Sequence, residues 1–282
     1  MGIAVVMTAY QRPDYLEQTL KSWAGVRGLA DVVSQTIHVE QSSVEYRVKC
    51  LAWEYGWSPR PNGGRLGVLV NPVESVSWAF RSYPEADFVV IAEEDVVVAS
   101  DILEYFQWAQ RFRYDESVGV VCAHRPQGTT VAQPRTDAVL RVPGFSCPLL
   151  WGTWRDRWED FIEPTWDRDY RADGWDWNLG RVLKMAGKCS LAPEQNRSDH
   201  IGEEGGAHCT PAMFPETVDP GFRTDLPVCE YQIVEGPALW SGSQYQTRWR
   251  SLSGCGRAFA GASGGTSGRT AGRALSRWPS SS

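Results

Sequence analysis

No apolar run in this sequence approaches the roughly 18 residues of a membrane-spanning helix. Signal-peptide features are absent as well, because the start MGIAVVMTAYQRP has one short apolar stretch, no basic segment before it and no cleavage site. Internal repeats with periods of about 20–50 residues are also absent, which argues against a solenoid or propeller. We therefore expect neither export nor insertion into a membrane.

Paired cysteines of the CxxC type are missing. The seven cysteines, an odd number, are scattered from Cys50 to Cys255. This distribution favours reduced thiols and a cytoplasmic location over a disulfide framework. A zinc site built from cysteine and histidine near residues 189–209 is disfavoured, since the spacing there matches no common ligand pattern.

Acidic residues are missing beyond Glu235, where the sequence becomes rich in glycine and serine and carries six arginines. Residues 1–235 hold 22 basic residues against 34 acidic ones, a net charge of −12. Such a body would repel nucleic-acid phosphates, so we expect no nucleic-acid binding. A phosphate ligand bridged by a divalent cation remains compatible with this charge. The composition of residues 241–282 predicts a disordered basic tail.

Strands and helices alternate through the first half of the chain. Continuous apolar strands separated by helices predict an α/β fold in which a mostly parallel sheet is sandwiched by helices. The predicted strands cover residues 3–9, 37–40, 66–70, 88–92 and 118–122.

Helix starts and one loop follow from local signals. Pro13 and Pro72 each predict the first turn of a helix, while Ser100 and Thr153 are suited to cap two further helices. Residues 58–64, SPRPNGG, predict a loop. A last helix is predicted within GWDWNLGRVLKMAGK, with Gly187 past its end as the C-cap.

Three acids end the most apolar strand, in the stretch FVVIAEED. Ligands of open α/β sheets bind beyond the carboxyl ends of the strands, where Glu93, Glu94 and Asp95 lie. If the strand stays extended, Glu93 and Asp95 point the same way, and like charges ~4 Å apart repel by roughly 1–4 kcal/mol. A divalent cation would offset this repulsion. A solvated turn near the next helix's N-terminus is the alternative, and position alone does not separate the two.

The stretch VVIAEEDVVVASDILEYF resembles the metal-binding strand and following helix of the GT-A glycosyltransferases, above all of the N-acetylglucosaminyltransferase I family. MTAYQRPDYLEQTL and NPVESVSWAF resemble elements that precede this strand in such enzymes. Downstream, VPGFSCPLLWGTW, GWDWNLGR, CSLAPEQNRSDHIG and GEEGGAHCTPAMF follow in the family's order. The similarity extends over about residues 3–215.

The resemblance implies a set of binding residues. Asp95 matches the family's ligand for Mn²⁺ or Mg²⁺, and Glu93 and His208 are further candidate ligands. Glu94 departs from the family's Asp, which bears on the choice of donor sugar. The candidate residues for binding the nucleotide-sugar donor are Arg12, Gln41, Glu93, Glu94, Trp175, Gly205 and Gly206.

Asp176 corresponds in this resemblance to the general base. An inverting transfer needs a carboxylate that takes the proton of the acceptor hydroxyl, although Asp176 could instead be a first-turn acid of its helix. His200 or His208 could bind the metal, hold a loop closed or cap a turn. Residues 201–208, IGEEGGAH, look like the family's mobile loop over the donor, with a surface turn as the alternative.

The resemblance therefore implies an inverting, metal-dependent glycosyltransferase that uses a nucleotide-sugar donor, UDP-linked, and a glycan, protein or small-molecule hydroxyl acceptor. Three alternatives remain: a non-catalytic glycan- or nucleotide-sugar-binding protein, a sugar-nucleotide nucleotidyltransferase and a phosphohydrolase. On this interpretation residues 1–125 bind donor and metal, residues 126–240 bind the acceptor and hold the base, and residues 241–282 form the tail.

Overall fold

The computed structural model describes residues 2–125, 131–145, 149–170, 174–206, 209–212 and 214–234, so the predicted tail lies outside the described residues. The strands, in chain order, are β1 Gly2–Ala9, β2 Ser34–Val39, β3 Ser58–Pro61, β4 Ala86–Glu93, β5 Val96–Val98, β6 Val118–Cys122, β7 Ala138–Pro143, β8 Leu150–Trp154, β9 Cys189–Pro193, β10 Ser198–His200 and β11 Gln232–Val234.

The helices are α1 Pro13–Ala24, α2 Glu45–Glu54, α3 Gly67–Ser82, α4 Ile102–Ala109, α5 Arg155–Arg157, α6 Glu163–Thr165 and α7 Gly174–Met185. A π-helical turn, Trp158–Ile162, joins α5 to α6, and short 3-10 turns lie at Leu29–Asp31, Gln110–Phe112 and Phe214–Glu216. No helix in the described part of the chain is long and apolar enough to cross a membrane.

Within the described residues, nine strands form one sheet in the order β11-β7-β9-β6-β8-β4-β1-β2-β3. Strands β4, β1, β2 and β3 are parallel neighbours, whereas β8 runs antiparallel to both β4 and β6. Strands β5 and β10 form a separate antiparallel pair. The predicted α/β fold with a mostly parallel sheet is confirmed, while the division of function at residues 125 and 240 stays a prediction.

Both faces of the sheet are covered. Strand β1 is buried over most of its length, and its side chains alternate between two apolar layers. Ile3 and Val5 lie in the layer that contains Leu16 and Trp23 of α1, while Val6 lies in the layer formed with α3 and α7. Burial on both faces explains why the strands read as continuous apolar runs.

The prediction of a strand at residues 66–70 is wrong, because this run forms the first turn of α3. Four apolar residues and one glycine are compatible with either a strand or a helix, and periodicity over so short a run does not separate them. Pro72 consequently lies inside α3 rather than at its start. The backbone N–H of Gly67 donates to a Glu40 carboxylate oxygen at 2.7 Å, which anchors the helix's first turn.

Residues 58–61 form β3 rather than part of the predicted loop. This strand pairs with β2 alone and is the last strand of the sheet. Edge strands tolerate proline, because one side of an edge strand needs no ladder hydrogen bonds. The two prolines of SPRP were therefore compatible with a strand whose place in the sheet is not visible from sequence.

Neither predicted hydroxyl cap is present. Ser100 Oγ accepts a hydrogen bond from Arg27 Nη1 at 2.8 Å, and Asp101 takes the cap position of α4 without a side-chain cap. Thr153 lies within β8 and donates to the Gly119 carbonyl at 2.9 Å. By contrast, α1 begins at Pro13 as predicted, and α7 ends shortly before a glycine of positive φ, as predicted.

Candidate functional site

The acidic turn, residues 93–95, lies at the carboxyl end of β4. Strand β4 ends at Glu93, so the chain turns at Glu94 and Asp95 before entering β5. The strand does not stay extended through all three acids, so each carboxylate meets a different set of partners. Glu94 and Asp95 are only 4% and 3% exposed.

Glu94 is bound on both carboxylate oxygens by the chain that follows β1. Its Oε2 accepts the backbone N–H of Tyr10 and its Oε1 accepts Arg12 Nε, both at 2.8 Å. Burial raises the pKa of Glu94, and the Arg12 guanidinium opposes this shift. The carboxylate thus holds Arg12 in place beside β4.

Asp95 lies between two cationic side chains. Its Oδ2 accepts Arg12 Nη1 at 2.8 Å and His200 Nε2 at 3.0 Å. Its Oδ1 is buried and has no hydrogen-bond partner among the described residues. Burial alone would raise the pKa of Asp95, but the hydrogen bond and charge of His200, together with Arg12, lower it. Asp95 is therefore an ionised carboxylate with one oxygen unpartnered.

His200 reaches Asp95 because β10 pairs with β5, which places His200 opposite Val96. Its Nδ1 lies 2.8 Å from Thr217 Oγ1, whose hydroxyl donates to the Phe214 carbonyl. The Thr217 oxygen must then accept from Nδ1–H, which directs Nε2 towards Asp95. Burial lowers the pKa of His200, but hydrogen bonds to Asp95 and Cys209 outweigh burial and raise it to about 10.

Glu93 faces the start of α7. Its Oε1 accepts the indole N–H of Trp175 at 2.9 Å, and burial together with the charge of Asp95 raises its pKa to about 7. The Trp175 ring stacks on Trp151 with ring centroids 5.8 Å apart. Asp176 follows in the first turn of α7 and is half-buried. The structure thus brings the predicted base next to the residue that contacts the acidic turn.

The glycine-rich segment 201–206 lies over Arg12. A Cβ added to Gly205 or Gly206 would contact the Arg12 side chain at 3.5 Å, and Gly205 has a φ of +71°. The backbone N–H of Glu204 donates to the Tyr15 hydroxyl at 3.2 Å. The segment therefore lies beside the acidic turn, while His208, the predicted metal ligand, lies outside the described residues.

Gln41 is exposed beyond the end of β2, beside a pocket lined by Val39, Gln41, Glu45, Pro61 and Gly63. Its neighbour Glu40, which the sequence analysis missed, is only 3% exposed. Burial raises the pKa of Glu40. The Arg65 guanidinium lies over the Tyr10 ring at 4.6 Å, near the end of β1. An acid at the carboxyl end of an apolar strand was the signal that could have identified Glu40, as it did for Glu93.

Among the described residues, no three side chains of His, Cys, Asp or Glu come together as metal ligands. The carboxyl ends of β1, β2 and β4 instead meet at one edge that carries Arg12, Glu40 and the acidic turn. Such an edge is the usual ligand site of open α/β sheets.

No protein-family model matches the chain. Over 246 residues it is 25% identical to an alpha-1,3-mannosyl-glycoprotein 2-beta-N-acetylglucosaminyltransferase of Arabidopsis thaliana; the match covers 80% of this chain and 52% of the relative. The chain thus spans about half the length of this curated relative.

Two solved structures share the fold. TarS 1-349 of S. aureus in complex with UDP-GlcNAc matches with a TM-score of 0.52 and 11% identity, over 73% of this chain and 60% of TarS 1-349. The mannosyltransferase PcManGT of Pyrobaculum calidifontis, in complex with GDP-Man and Mn²⁺, matches with a TM-score of 0.51 and 19% identity, over 73% and 58%. The predicted resemblance to GT-A glycosyltransferases is confirmed at the level of the fold.

Proposed function

We propose that this protein is an inverting, metal-dependent glycosyltransferase that moves a sugar from a nucleotide-sugar donor, UDP-linked, to a hydroxyl of a glycan, protein or small molecule. The convergence of the acidic turn, Arg12 and the Trp175–Asp176 start of α7 at one sheet edge carries this proposal. The names of similar proteins support it, since one is an N-acetylglucosaminyltransferase and two solved complexes hold UDP-GlcNAc or GDP-Man.

A divalent cation, Mn²⁺ or Mg²⁺, belongs to the proposal, with Asp95 as its protein ligand. The unpartnered Oδ1 of Asp95 fits a cation that takes its other ligands from a diphosphate and water. His200 Nε2 donates its proton to Asp95, so His200 would have to release that proton before it could bind the ion. His208 stays a predicted ligand, whereas Glu93 is engaged by Trp175. When bound, the cation would stabilise the negative charge on the departing diphosphate.

Asp176 is the proposed general base. In an inverting transfer the acceptor oxygen bonds to the anomeric carbon while the bond from that carbon to the diphosphate oxygen breaks, and a carboxylate takes the hydroxyl proton. The Trp175 indole holds the first turn of α7, to which Asp176 belongs, against Glu93. Trp175 also offers a flat ring of the kind that packs on sugars.

The nucleotide base is assigned to the ends of β1 and β2. Tyr10 presents an aromatic ring that already packs against a planar group, the Arg65 guanidinium. Glu40 and Gln41 lie directly after β2 and offer a carboxylate and an amide for the polar edge of a base. Arg12 lies at the same edge, where Glu94 and Asp95 hold its guanidinium.

The five described cysteines are free thiols. Because unpaired thiols are typical of reducing compartments, a cytoplasmic location is part of the proposal. The acidic charge of residues 1–235 likewise supports a protein that does not bind nucleic acid.

A binding and turnover screen tests the function. The protein is mixed with UDP-, GDP- and dTDP-sugars with and without Mn²⁺, and its melting temperature is measured. The release of nucleoside diphosphate is followed in the presence of glycan, peptide and small-molecule hydroxyl acceptors that can receive the sugar. We expect Mn²⁺-dependent stabilisation by one donor class, with diphosphate release that Asp95→Ala abolishes. Stabilisation without any turnover would indicate a non-catalytic binding protein, and no stabilisation by any donor would refute the proposal.

A further inference from the structure

Gly202 lies where the chain passes directly over the Asp95 carboxylate. It follows β10 by two residues and is buried. A Cβ added there would overlap Asp95 Oδ2 and would lie only 2.8 Å from both Asp95 Cγ and His200 Nε2. Real Cβ atoms do not approach other heavy atoms this closely, so a side chain at position 202 would force something to move.

The requirement for glycine at position 202 comes from space and not from backbone conformation. Gly205, three residues later, has a φ of +71°, in the left-handed region that favours glycine, but Gly202 is not among the glycines of positive φ. An alanine at position 202 could adopt the same backbone, so its cost would come from the contact with Asp95 and His200.

The backbone around Gly202 is tied to that of Asp95. The N–H of Ile201 donates to the Asp95 carbonyl at 2.9 Å, which extends the β10–β5 pairing by one hydrogen bond. The N–H of Glu203 then donates to the Ile201 carbonyl at 3.1 Å, which turns the chain across the carboxylate. Gly202 cannot retreat from Asp95 unless these bonds break.

The oxygen beneath Gly202 is Asp95 Oδ2, which joins Arg12 and His200. Asp95 Oδ2 accepts both Arg12 Nη1 and His200 Nε2. We propose that Gly202 is a positioning residue: its missing side chain lets the 201–206 segment close over Asp95 and hold Oδ2 between Arg12 and His200. The consequence for metal and donor binding rests on the proposed function, whereas the packing claim stands without it.

A double-mutant cycle tests the packing claim on the full chain. Gly202→Ala is measured in the wild-type protein and in Asp95→Ala, with the melting temperature without ligand as the readout. We expect Gly202→Ala to lower the wild-type melting temperature by at least about 3 °C, and by less than half as much once the carboxylate is gone. Equal shifts in both backgrounds would overturn the claim.

Gly25→Ala is the matched control, because its Cβ would meet only the Ser22 carbonyl oxygen of its own turn, at 3.5 Å. Its effect should be the same in both backgrounds. If Gly202→Ala alone fails to fold, a folded Gly202→Ala/Asp95→Ala protein supports the claim, and failure of both to fold overturns it.

Manganese binding tests the consequence for the site. Free Mn²⁺ is measured by electron paramagnetic resonance in the presence of UDP, and we expect Gly202→Ala to bind the ion at least tenfold more weakly than Gly25→Ala. Unchanged affinity would overturn the positioning role. Absence of Mn²⁺ binding by the wild-type protein would instead refute the proposed function. The double-mutant cycle would then still decide whether Gly202 packs on Asp95.

Discussion

Arg12 and Asp95 form a nearly buried ion pair, with Nη1 2.8 Å from Oδ2, and the same guanidinium donates through Nε to Glu94. The side chain of Arg12 is 18% exposed and those of the two acids about 5% or less. One arginine directly before α1 therefore pairs with both buried acids of the turn that ends β4. The arrangement joins the two central strands of the candidate site at their carboxyl ends.

Replacing Arg12 should destabilise the fold, because it would leave two buried carboxylates with fewer partners. We expect Arg12→Met to lower the free energy of unfolding by about 2–4 kcal/mol, measured by urea denaturation. Arg47→Met is the control, since Arg47 pairs with Asp14 at an exposed position and should cost less than about 1 kcal/mol. Equal effects of the two variants would contradict the importance of the Arg12 pairs.

Asp176→Asn should keep donor binding and lose transfer, because the amide cannot accept the acceptor's proton. A loss of about 10²–10⁴-fold in kcat is expected, with an unchanged donor-induced shift in melting temperature. The exposed Asp169 provides the control Asp169→Asn, for which activity should be retained. Turnover by Asp176→Asn at the wild-type rate would eliminate Asp176 as the base.

Trp175→Phe should weaken the link between α7 and the acidic turn. The phenyl ring keeps much of the packing on Trp151 but removes the N–H that Glu93 accepts, at a cost of about 1–2 kcal/mol in the free energy of unfolding. Trp151→Phe is matched to it, because the Trp151 indole nitrogen has no hydrogen-bond partner among the described residues. An unchanged free energy of unfolding in Trp175→Phe would count against this role of Trp175.

His124 should make the protein less stable in acid. Burial lowers the pKa of His124 to about 4 from its ordinary value of 6.5. Its Nδ1 donates to the Arg125 carbonyl and its Nε2 accepts from Asn196. As the pH falls from about 6.5 to 4, the unfolded chain takes up the proton first, so stability present above pH 6.5 is progressively lost.

The difference in free energy of unfolding between wild type and His124→Gln, followed against pH, isolates this contribution from the carboxylates. We expect the wild type to lose on the order of 2–3 kcal/mol relative to His124→Gln between pH 6.5 and 4. A difference that stays constant over this range would show that His124 does not titrate there.

Short sequence signals correctly predicted those element boundaries that the backbone geometry of single residues determines. Pro13 at the start of α1 and the glycine beyond α7 were identified because a proline ring and a left-handed turn impose backbone geometry on their own. The run at 66–70 was assigned to the wrong kind of element because five residues are too few for their periodicity to separate a strand from a helix. The hydrogen bond from Gly67 to Glu40 and the packing of α3 show that this run is helical.

The sequence by itself determined that an acidic turn ends a buried strand at the ligand-binding edge of an α/β sheet, because apolar runs and the acids that follow them are contiguous in the chain. Only the tertiary structure decided which partners those acids meet. His200 is 105 positions from Asp95 and reaches it through the pairing of β10 with β5. The need for a glycine at position 202 arises only because the same pairing brings this residue over the Asp95 carboxylate. Contacts of this kind depend on strand register and sheet order, which no local pattern encodes.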